Sequence, residues 1–568
     1  MNLWTVCFLF CILLQSKVTN GATVLFFLLG TNAYERHVFE FLAQQLALRH
    51  HNTITVKPIL IPEEPRLVKP RLHLVREKVL KNLLPRSIYE PLENVGSDVP
   101  WRRTYELDAN DEPYWRAHNH SCEKMLNSNL MSTLKKDQIE VAIVYSGNPC
   151  QLALIHALGI PFIYFDLDGF TDETIVASGT PWNLEAPSSR FANPPSGSSV
   201  LFKLFNGVQL LRETVCQFKS TSLTSAICPR SRLLDEPISR MFAEDYEIRK
   251  TFKQFPHVNW IKQNAELYFI NTDPLLEPYG LSLPSHVIPV GGAHIDFPRP
   301  LFSPFNTSVG PSQLGMILVQ LGSNVDGSSM SQSMVRAFVG ALSRLKKYRI
   351  YWRIGTKLEL KGVDLDSLPS HINITTYIPQ NDLLANKKTK LLITNGGMSS
   401  MIESLSYGVP ILGVPLYGVN YQNLLKVQQK GLGVALDKTT ITETSLYTAI
   451  RHVLETPKFE RQAQEFAKEF NERSSTTFER ALNAIEHVAR HRSAKFLRAS
   501  QRPKGFQLFL KVTNLDLFAA LIVLLTIGLT VGYVVSIVFL RCLVPTSRKS
   551  TSEKEKRKPV DQSSKKHR

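Results

Sequence analysis

The chain has 568 residues, 43% of them hydrophobic and 20% charged, the balance of a globular protein with room for two full cores. Its net charge of +17 is concentrated at one end: residues 541–568 hold ten Lys/Arg against three acids, leaving about +10 over a large body. No recognition motif accompanies that charge, so no nucleic-acid partner is expected.

Two apolar segments set the topology. Residues 1–21, with an apolar core from Leu3 to Leu14, read as a signal peptide, too short to span a bilayer. Residues 517–540 are uncharged, long enough to cross with some tilt, and flanked by the basic tail 541–568. The order predicts a single-pass type I protein with a lumenal body and a cytosolic tail. Lys565 and Lys566, fourth and third from the C-terminus, look like the dilysine signal that retains proteins in the endoplasmic reticulum membrane. Cys122, Cys150, Cys216 and Cys228 then lie in an oxidising compartment, where three pairings are open. None has metal-ligand spacing, so no metal is expected. Asn119, Asn306 and Asn373 each begin an N-x-S/T sequon, open to glycosylation in the lumen.

In chain order, Thr23 to Leu29 reads as a strand, followed by a loop (Gly30 to His37), an amphipathic helix to about Arg49, and a strand at Thr53–Val56. Asp108 to His120 is polar and aromatic-rich and reads as loop. Val141–Val144 is a further strand, with Tyr145-Ser146-Gly147-Asn148 after it. Ala157 to Ile163 repeats the helix, glycine, strand rhythm of a doubly wound domain. Thr180 to Val200, rich in Pro, Ser and Gly, reads as loop, and Phe205 to Lys253 as helices around a Cys216–Cys228 loop. Leu267–Asn271 is the strand expected to close the first domain. Prolines 298, 300, 304 and 311 mark an exposed connection. A second domain opens with the strand Met316–Leu321 and a Gly322-Ser323-Asn324 turn, then a helix (Ser331 to Lys346) and a strand (Ile350 to Ile354).

The most informative stretch is Leu391 to Asn423. An apolar strand (Leu391–Thr394) meets Gly396-Gly397, a helix from Met398 to Tyr407, then Gly408-Val409-Pro410 and a strand at Ile411–Leu416. The free N–H groups and dipole of that helix N-terminus favour a bound phosphate. The spacing is neither GxGxxG nor a P-loop. After Thr444 a helical tract, charged on one face, runs to about Arg490.

From Tyr377-Ile378-Pro379-Gln380 through Asn395-Gly396-Gly397, Ser400, Glu403, Gly408-Val409-Pro410 and Asn420, the chain resembles the signature of the UDP-glucuronosyltransferases and other inverting UDP-glycosyltransferases, without a gap. Val290-Gly291-Gly292-Ala293-His294, the Gly322-Ser323 turn and Ser493 to Arg498 resemble further parts of that family, so the likeness covers nearly the whole chain. It implies an α/β protein of two facing Rossmann-like domains (GT-B type) plus one C-terminal transmembrane helix. The expected layout is an acceptor-binding domain (22–285), a UDP-sugar-binding domain with a returning helix (286–490), a juxtamembrane segment (491–516), the membrane helix (517–540) and the tail (541–568).

The resemblance implies transfer of a sugar from a UDP-sugar to a hydroxyl of a small lipophilic acceptor, with inversion and no cofactor beyond the donor. It assigns Gly322, Ser323, Asn395, Gly396, Gly397, Ser399 and Ser400 to the diphosphate, Glu403 to the ribose, Gln380 and Tyr377 to the nucleoside, and Asn420 to the sugar. Homo- or hetero-oligomers with related transferases are further expected partners.

Departures fall at the reacting end. The family's first-loop histidine, the general base, falls on Glu35 here, with His37 two residues on; both are candidates. The acid that orients that histidine follows the Val141–Val144 strand in the family, and Tyr145 to Asn148 contain no carboxylate. Asn395 replaces a histidine and Val419-Asn420 an Asp-Gln pair. A second reading follows: a weak or silent relative that binds UDP or a partner glycosyltransferase in the same membrane.

Overall fold

The computed structural model describes residues 21–30, 33–62, 74–105, 107–186, 200–218, 227–278, 280–306, 313–323, 325–355, 357–473, 476–497 and 515–543. The signal peptide up to residue 20, most of the 180–200 loop, most of the juxtamembrane segment and the basic tail with its dilysine end lie outside the described residues.

Short apolar runs bounded by glycine and polar residues become parallel strands buried on both faces. Seven form the first sheet: β1 (Thr23–Phe27), β2 (Asn52–Pro58), β3 (Arg76–Leu80), β4 (Val141–Tyr145), β5 (Phe162–Asp166), β6 (Leu267–Ile270) and β7 (Val287–Pro289), in the order β3-β2-β1-β4-β5-β6-β7. Alternation sorts their side chains. Val24, Phe26, Ile143, Phe165 and Phe269 join Leu42 and Leu46 of α1 (Ala33–Leu48) on one face. Leu25, Phe27, Val144, Tyr164 and Tyr268 pack on the other with α2 (Glu112–Leu126) and α3 (Pro149–Ala157). Two further helices matter below: α4 (Asp172–Ser178) after β5, and α5 (Val200–Phe218).

The second sheet has six parallel strands: β8 (Gly315–Gln320), β9 (Tyr348–Arg353), β10 (Ile372–Thr375), β11 (Thr389–Thr394), β12 (Ile411–Gly413) and β13 (Gly433–Ala435), in the order β10-β9-β8-β11-β12-β13. Around it lie α6 (Gln332–Ser343), the short α7 (Gln380–Leu384), α8 (Met398–Ser406), α9 (Gly418–Gln429) and α10 (Pro457–Asn471). The chain then returns. In α11 (Thr477–His491), Ala481, Leu482, Ile485 and Val488 fall on one face and enter the core of the first sheet beside α1. Fully burying a Leu, Ile or Val side chain contributes about 1.5–3 kcal/mol, so this return is firmly held. Ala494 follows it, its N–H donating to Glu266 Oε2 at 2.8 Å. A separate unit from Asn514 contains α12 (Leu515–Leu543), whose stretch Phe518–Leu540 is long and apolar enough to cross a membrane.

Two expectations are corrected. Asp108 to His120 is not loop: α2 starts at Glu112, with Pro113 in its first turn, and buries Trp115, Ala117, Cys122 and Met125. Its polar exposed face hid that apolar stripe. The first domain does not close at Leu267–Asn271 or end at residue 285, because β7 is a seventh strand of its sheet. The disulfides are Cys122–Cys150, tying α2 to α3, and Cys216–Cys228.

The two domains are joined by polar contacts as well as by chain. Lys426 Nζ on α9 lies 2.6 Å from Glu277 Oε1, both buried, and the Thr272 hydroxyl donates to the same oxygen. Arg473 grips Asp273 with two guanidinium nitrogens. Removing one partner of a buried pair strands the other charge. Lys426→Ala is therefore expected to destabilise the body by about 3–5 kcal/mol in urea unfolding, with the Lys426→Met/Glu277→Leu pair much less affected.

Candidate active site

Because every strand is parallel, all loops that follow strands gather at one edge of each sheet, the edge where α/β folds bind ligands. In the second domain these are the turns after β8, β9, β10, β11 and β12.

The turn after β11 is the tightest. Gly396 has φ +88°, and a Cβ there would meet Leu424 and the carbonyl of Asn420. Gly397 is the N-cap of α8, and no side chain caps that helix. Some helices of the body are capped by their own residues, Asn148 on α3, Thr171 on α4 and Ser331 on α6, whereas α2, α7 and α10, like α8, are not. The first N–H groups of α8 thus keep their capacity for an external anion.

Asn395 folds onto this turn. Its Oδ1 accepts from Gly397 N at 3.1 Å, and its Nδ2 donates to Asn420 Oδ1 at 3.4 Å. Asn420 Oδ1 also accepts from Tyr417 N at 3.2 Å, closing a capping box on α9. Asn395 and the Asn420 side-chain oxygen therefore serve neighbouring backbone and each other. Val419, beside Asn420, is half-buried and offers no polar atom. Ser399 Oγ accepts from Asn271 Nδ2 of the first domain at 3.0 Å.

Further along α8, the buried Glu403 accepts at both oxygens. His294 Nε2 in the interdomain linker is 3.0 Å from Oε1, and Gln380 Nε2 is 2.6 Å from Oε2. Gln380 Nε2 also lies 3.1 Å from Ser400 Oγ. Gln380 Oε1 is buried without a hydrogen-bond partner among the described residues, an acceptor available to a ligand N–H or O–H. Tyr377 stands half-buried three residues before it, and burial raises its phenol pKa.

The turn after β8 approaches closely. Gly322 has φ +121°, and a Cβ there would sit 2.9 Å from Asn395 Nδ2. Its shape is fixed by Arg353, which sequence reasoning missed. Nη1 donates to Gly322 O at 2.7 Å, Nη2 to Ser323 O at 2.8 Å, and Nε to Thr376 O at 3.1 Å. One guanidinium thus joins the turn after β8 to the loop that carries Tyr377. Burial pushes its pKa down to about 10, so it stays charged at neutral pH. The signal was a cation at the carboxyl end of the apolar run Ile350-Tyr351-Trp352.

In the first domain His37 is half-buried on α1, and Glu35 belongs to the first turn of that helix. At the end of β4, the Tyr145 hydroxyl donates to Asp168 Oδ2 at 2.9 Å. Of the sequons, Asn306 is exposed, Asn373 lies on the edge strand β10, and Asn119 Nδ2 on α2 donates to Leu233 O at 2.8 Å.

Two parallel-sheet α/β domains that meet through the loops after their strands make the two-domain architecture of the GT-B fold. Solved structures agree on the fold. The glycotransferase of kitacinnamycin matches with a TM-score of 0.54 at 15% identity, covering 82% of this chain and 99% of that one. The calicheamicin glycosyltransferase CalG4 matches at 0.50 and 15%, covering 83% and 99%. The model of the UDP-glucoronosyl and UDP-glucosyl transferase family matches residues 74–549, and the chain belongs to that family. It is 27% identical over 394 residues to human 2-hydroxyacylsphingosine 1-beta-galactosyltransferase, covering 68% of this chain and 66% of that protein. It is 25% identical to UDP-glucosyltransferase 2 of Dactylopius coccus, covering 87% and 88%, and 23% identical to human UDP-glucuronosyltransferase 2B15, covering 85% and 86%. The chain is thus a transferase of the glycosyltransferase class.

Lysine cannot serve three carbonyls in the planar geometry that arginine uses. Arg353→Lys is expected to weaken UDP binding about tenfold, in line with losing one or two charge-assisted bonds, as read by titration calorimetry with the fold intact.

Proposed function

We propose that this protein transfers a sugar from a UDP-sugar to a hydroxyl of a small lipophilic acceptor, with inversion at the anomeric carbon. The observation that carries the reading is α8: an uncapped N-terminus behind Gly396-Gly397, with Glu403 buried one turn along. In this reading the N–H groups of Met398, Ser399 and Ser400 and the Gly322-Ser323 turn hold the diphosphate. The Ser400 hydroxyl adds a donor. Glu403 takes the ribose hydroxyls, since a carboxylate oxygen can accept a second bond beside those from His294 and Gln380. Gln380 Oε1 and the Tyr377 ring face the nucleoside. Asn420 is the residue nearest the sugar, with its amide nitrogen the group for that contact.

An acceptor hydroxyl needs a base to take its proton as its oxygen attacks. His37 and Glu35, at the start of α1, are the sequence candidates. The chemistry proposed needs no metal. The body lies in the lumen of the endoplasmic reticulum, held by α12, with the tail cytosolic; Asn306 is the sequon best exposed for glycosylation, and related transferases are the partners expected in that membrane.

The test is purified full-length protein with labelled UDP-glucose, UDP-galactose and UDP-glucuronic acid against a panel of hydrophobic alcohols and phenols. Product with inverted configuration is expected. Glu403→Gln should raise the KM for donor about tenfold while changing kcat little, because the lost ribose bonds are remote from the reacting carbon. UDP binding with no product from any pair would instead support the silent-relative reading, which Val419 and the self-satisfied Asn395 favour.

A further inference from the structure

The segment Asp166 to Phe170, at the end of β5 and just after it, lies beside the start of α8. Asn271 Nδ2 bridges Leu167 O at 2.8 Å and Ser399 Oγ at 3.0 Å. Asn423 Nδ2 on α9 donates to Asp168 O at 3.1 Å and to Gly396 O at 3.2 Å. Gly169, at φ +132°, has room for no side chain: a Cβ would sit 3.1 Å from Met398 Cε and 3.2 Å from Asn423 Oδ1. Asp168 therefore lies between Leu167, which Asn271 links to Ser399, and Gly169, which packs against Met398; Met398 and Ser399 are the first two residues of the proposed diphosphate cradle.

The loop is also rigid. Asp166 is fully buried; its Oδ2 accepts from the Thr171 backbone and hydroxyl and from the Thr174 hydroxyl, and its Oδ1 from Asp168 N. Burial pushes the Asp166 carboxyl up to about 7. The Asp168 side chain is half-buried, and its Oδ2 accepts from the Tyr145 hydroxyl. The Tyr145 ring lies over its own turn, where a Cβ on Gly147 would collide with it.

Resting on the transfer reading above, we propose that Asp168, held by Tyr145, is the general base of this enzyme. In the step, the acceptor O–H proton passes to the Asp168 carboxylate, and the freed oxygen pair forms the bond to the anomeric carbon. The bond from that carbon to the β-phosphate oxygen breaks, and UDP leaves with its electron pair onto the diphosphate at α8. The carboxylate thus returns to the site through the strand next to β4, whose own end carries Tyr145 where the family's acid stands.

Burial raises the Asp168 carboxyl above the ordinary carboxylate range; the Tyr145 hydrogen bond opposes this, Glu173 on α4 adds to it, and Arg230 lowers it. Asp166 is the other charge facing it, from two residues before. A base must be ionised, so rate rises with pH through the Asp168 pKa. Removing the Tyr145 hydroxyl removes a bond to the ionised form, so that limb moves to higher pH.

The experiment uses the full chain with its best donor and acceptor pair, comparing parent, Asp168→Asn and Tyr145→Phe. Asparagine keeps the shape and an oxygen for Tyr145. The expected result is a loss of kcat of about 10²–10⁴-fold in Asp168→Asn with UDP affinity within twofold of parent, and an acid limb displaced upward in Tyr145→Phe. Turnover in Asp168→Asn within threefold of parent overturns the proposal and leaves the transfer reading standing. So does loss of UDP affinity in step with turnover, which marks a structural role, or an unmoved limb in Tyr145→Phe. A parent that binds UDP but transfers nothing overturns the transfer reading and this one together.

Discussion

Every strand in both sheets runs the same way within its sheet, and the rest of the molecule follows from that. Parallel strands need crossover helices, so both faces of each sheet are covered and both carboxyl edges are left to loops. The two edges then meet through Asn271–Ser399, Asn423–Asp168 and His294–Glu403. Each of these contacts places a polar group of the first domain or the linker against α8 or α9. Buried polar groups tolerate little misplacement, since an unmet partner costs about 1–3 kcal/mol, so the seam sets the cleft geometry as well as closing it.

The second-domain half of the site is built in advance. Arg353 fixes two loops at once, Gly396 and Gly322 hold backbone shapes that other residues resist, and Gln380 ties Ser400 to Glu403. Such preorganisation lowers the entropy lost when a nucleotide binds. The turn itself differs in kind: Asn395 and Asn420 satisfy each other there, while in the first domain Tyr145 and Asp168 are paired.

The sequence made the fold legible because buried parallel strands are short apolar runs and turns need glycine; Leu391 to Val414 shows both signals together. It hid α2, whose polar outer face masks an apolar stripe through Trp115, Cys122 and Met125. It hid β7, only three residues long and next to prolines. In the site, residues fixed by a local motif could be read in register, as with Gly396, Gly397 and Glu403. Those whose role depends on a distant partner could not: Arg353 acts on carbonyls about thirty positions upstream, and Tyr145 meets Asp168 across neighbouring strands. No local pattern encodes such pairs.

The return of α11 to the first sheet makes that domain discontinuous: residues 21–289 and 477–497 build one core, and the second domain is an insert between them. The insert is held by two chain crossings, at the linker before His294 and after α10. A premature stop after residue 473 would therefore leave every strand of the second sheet in place. It would unroof the other domain instead, removing the helix that packs beside α1 and against β4.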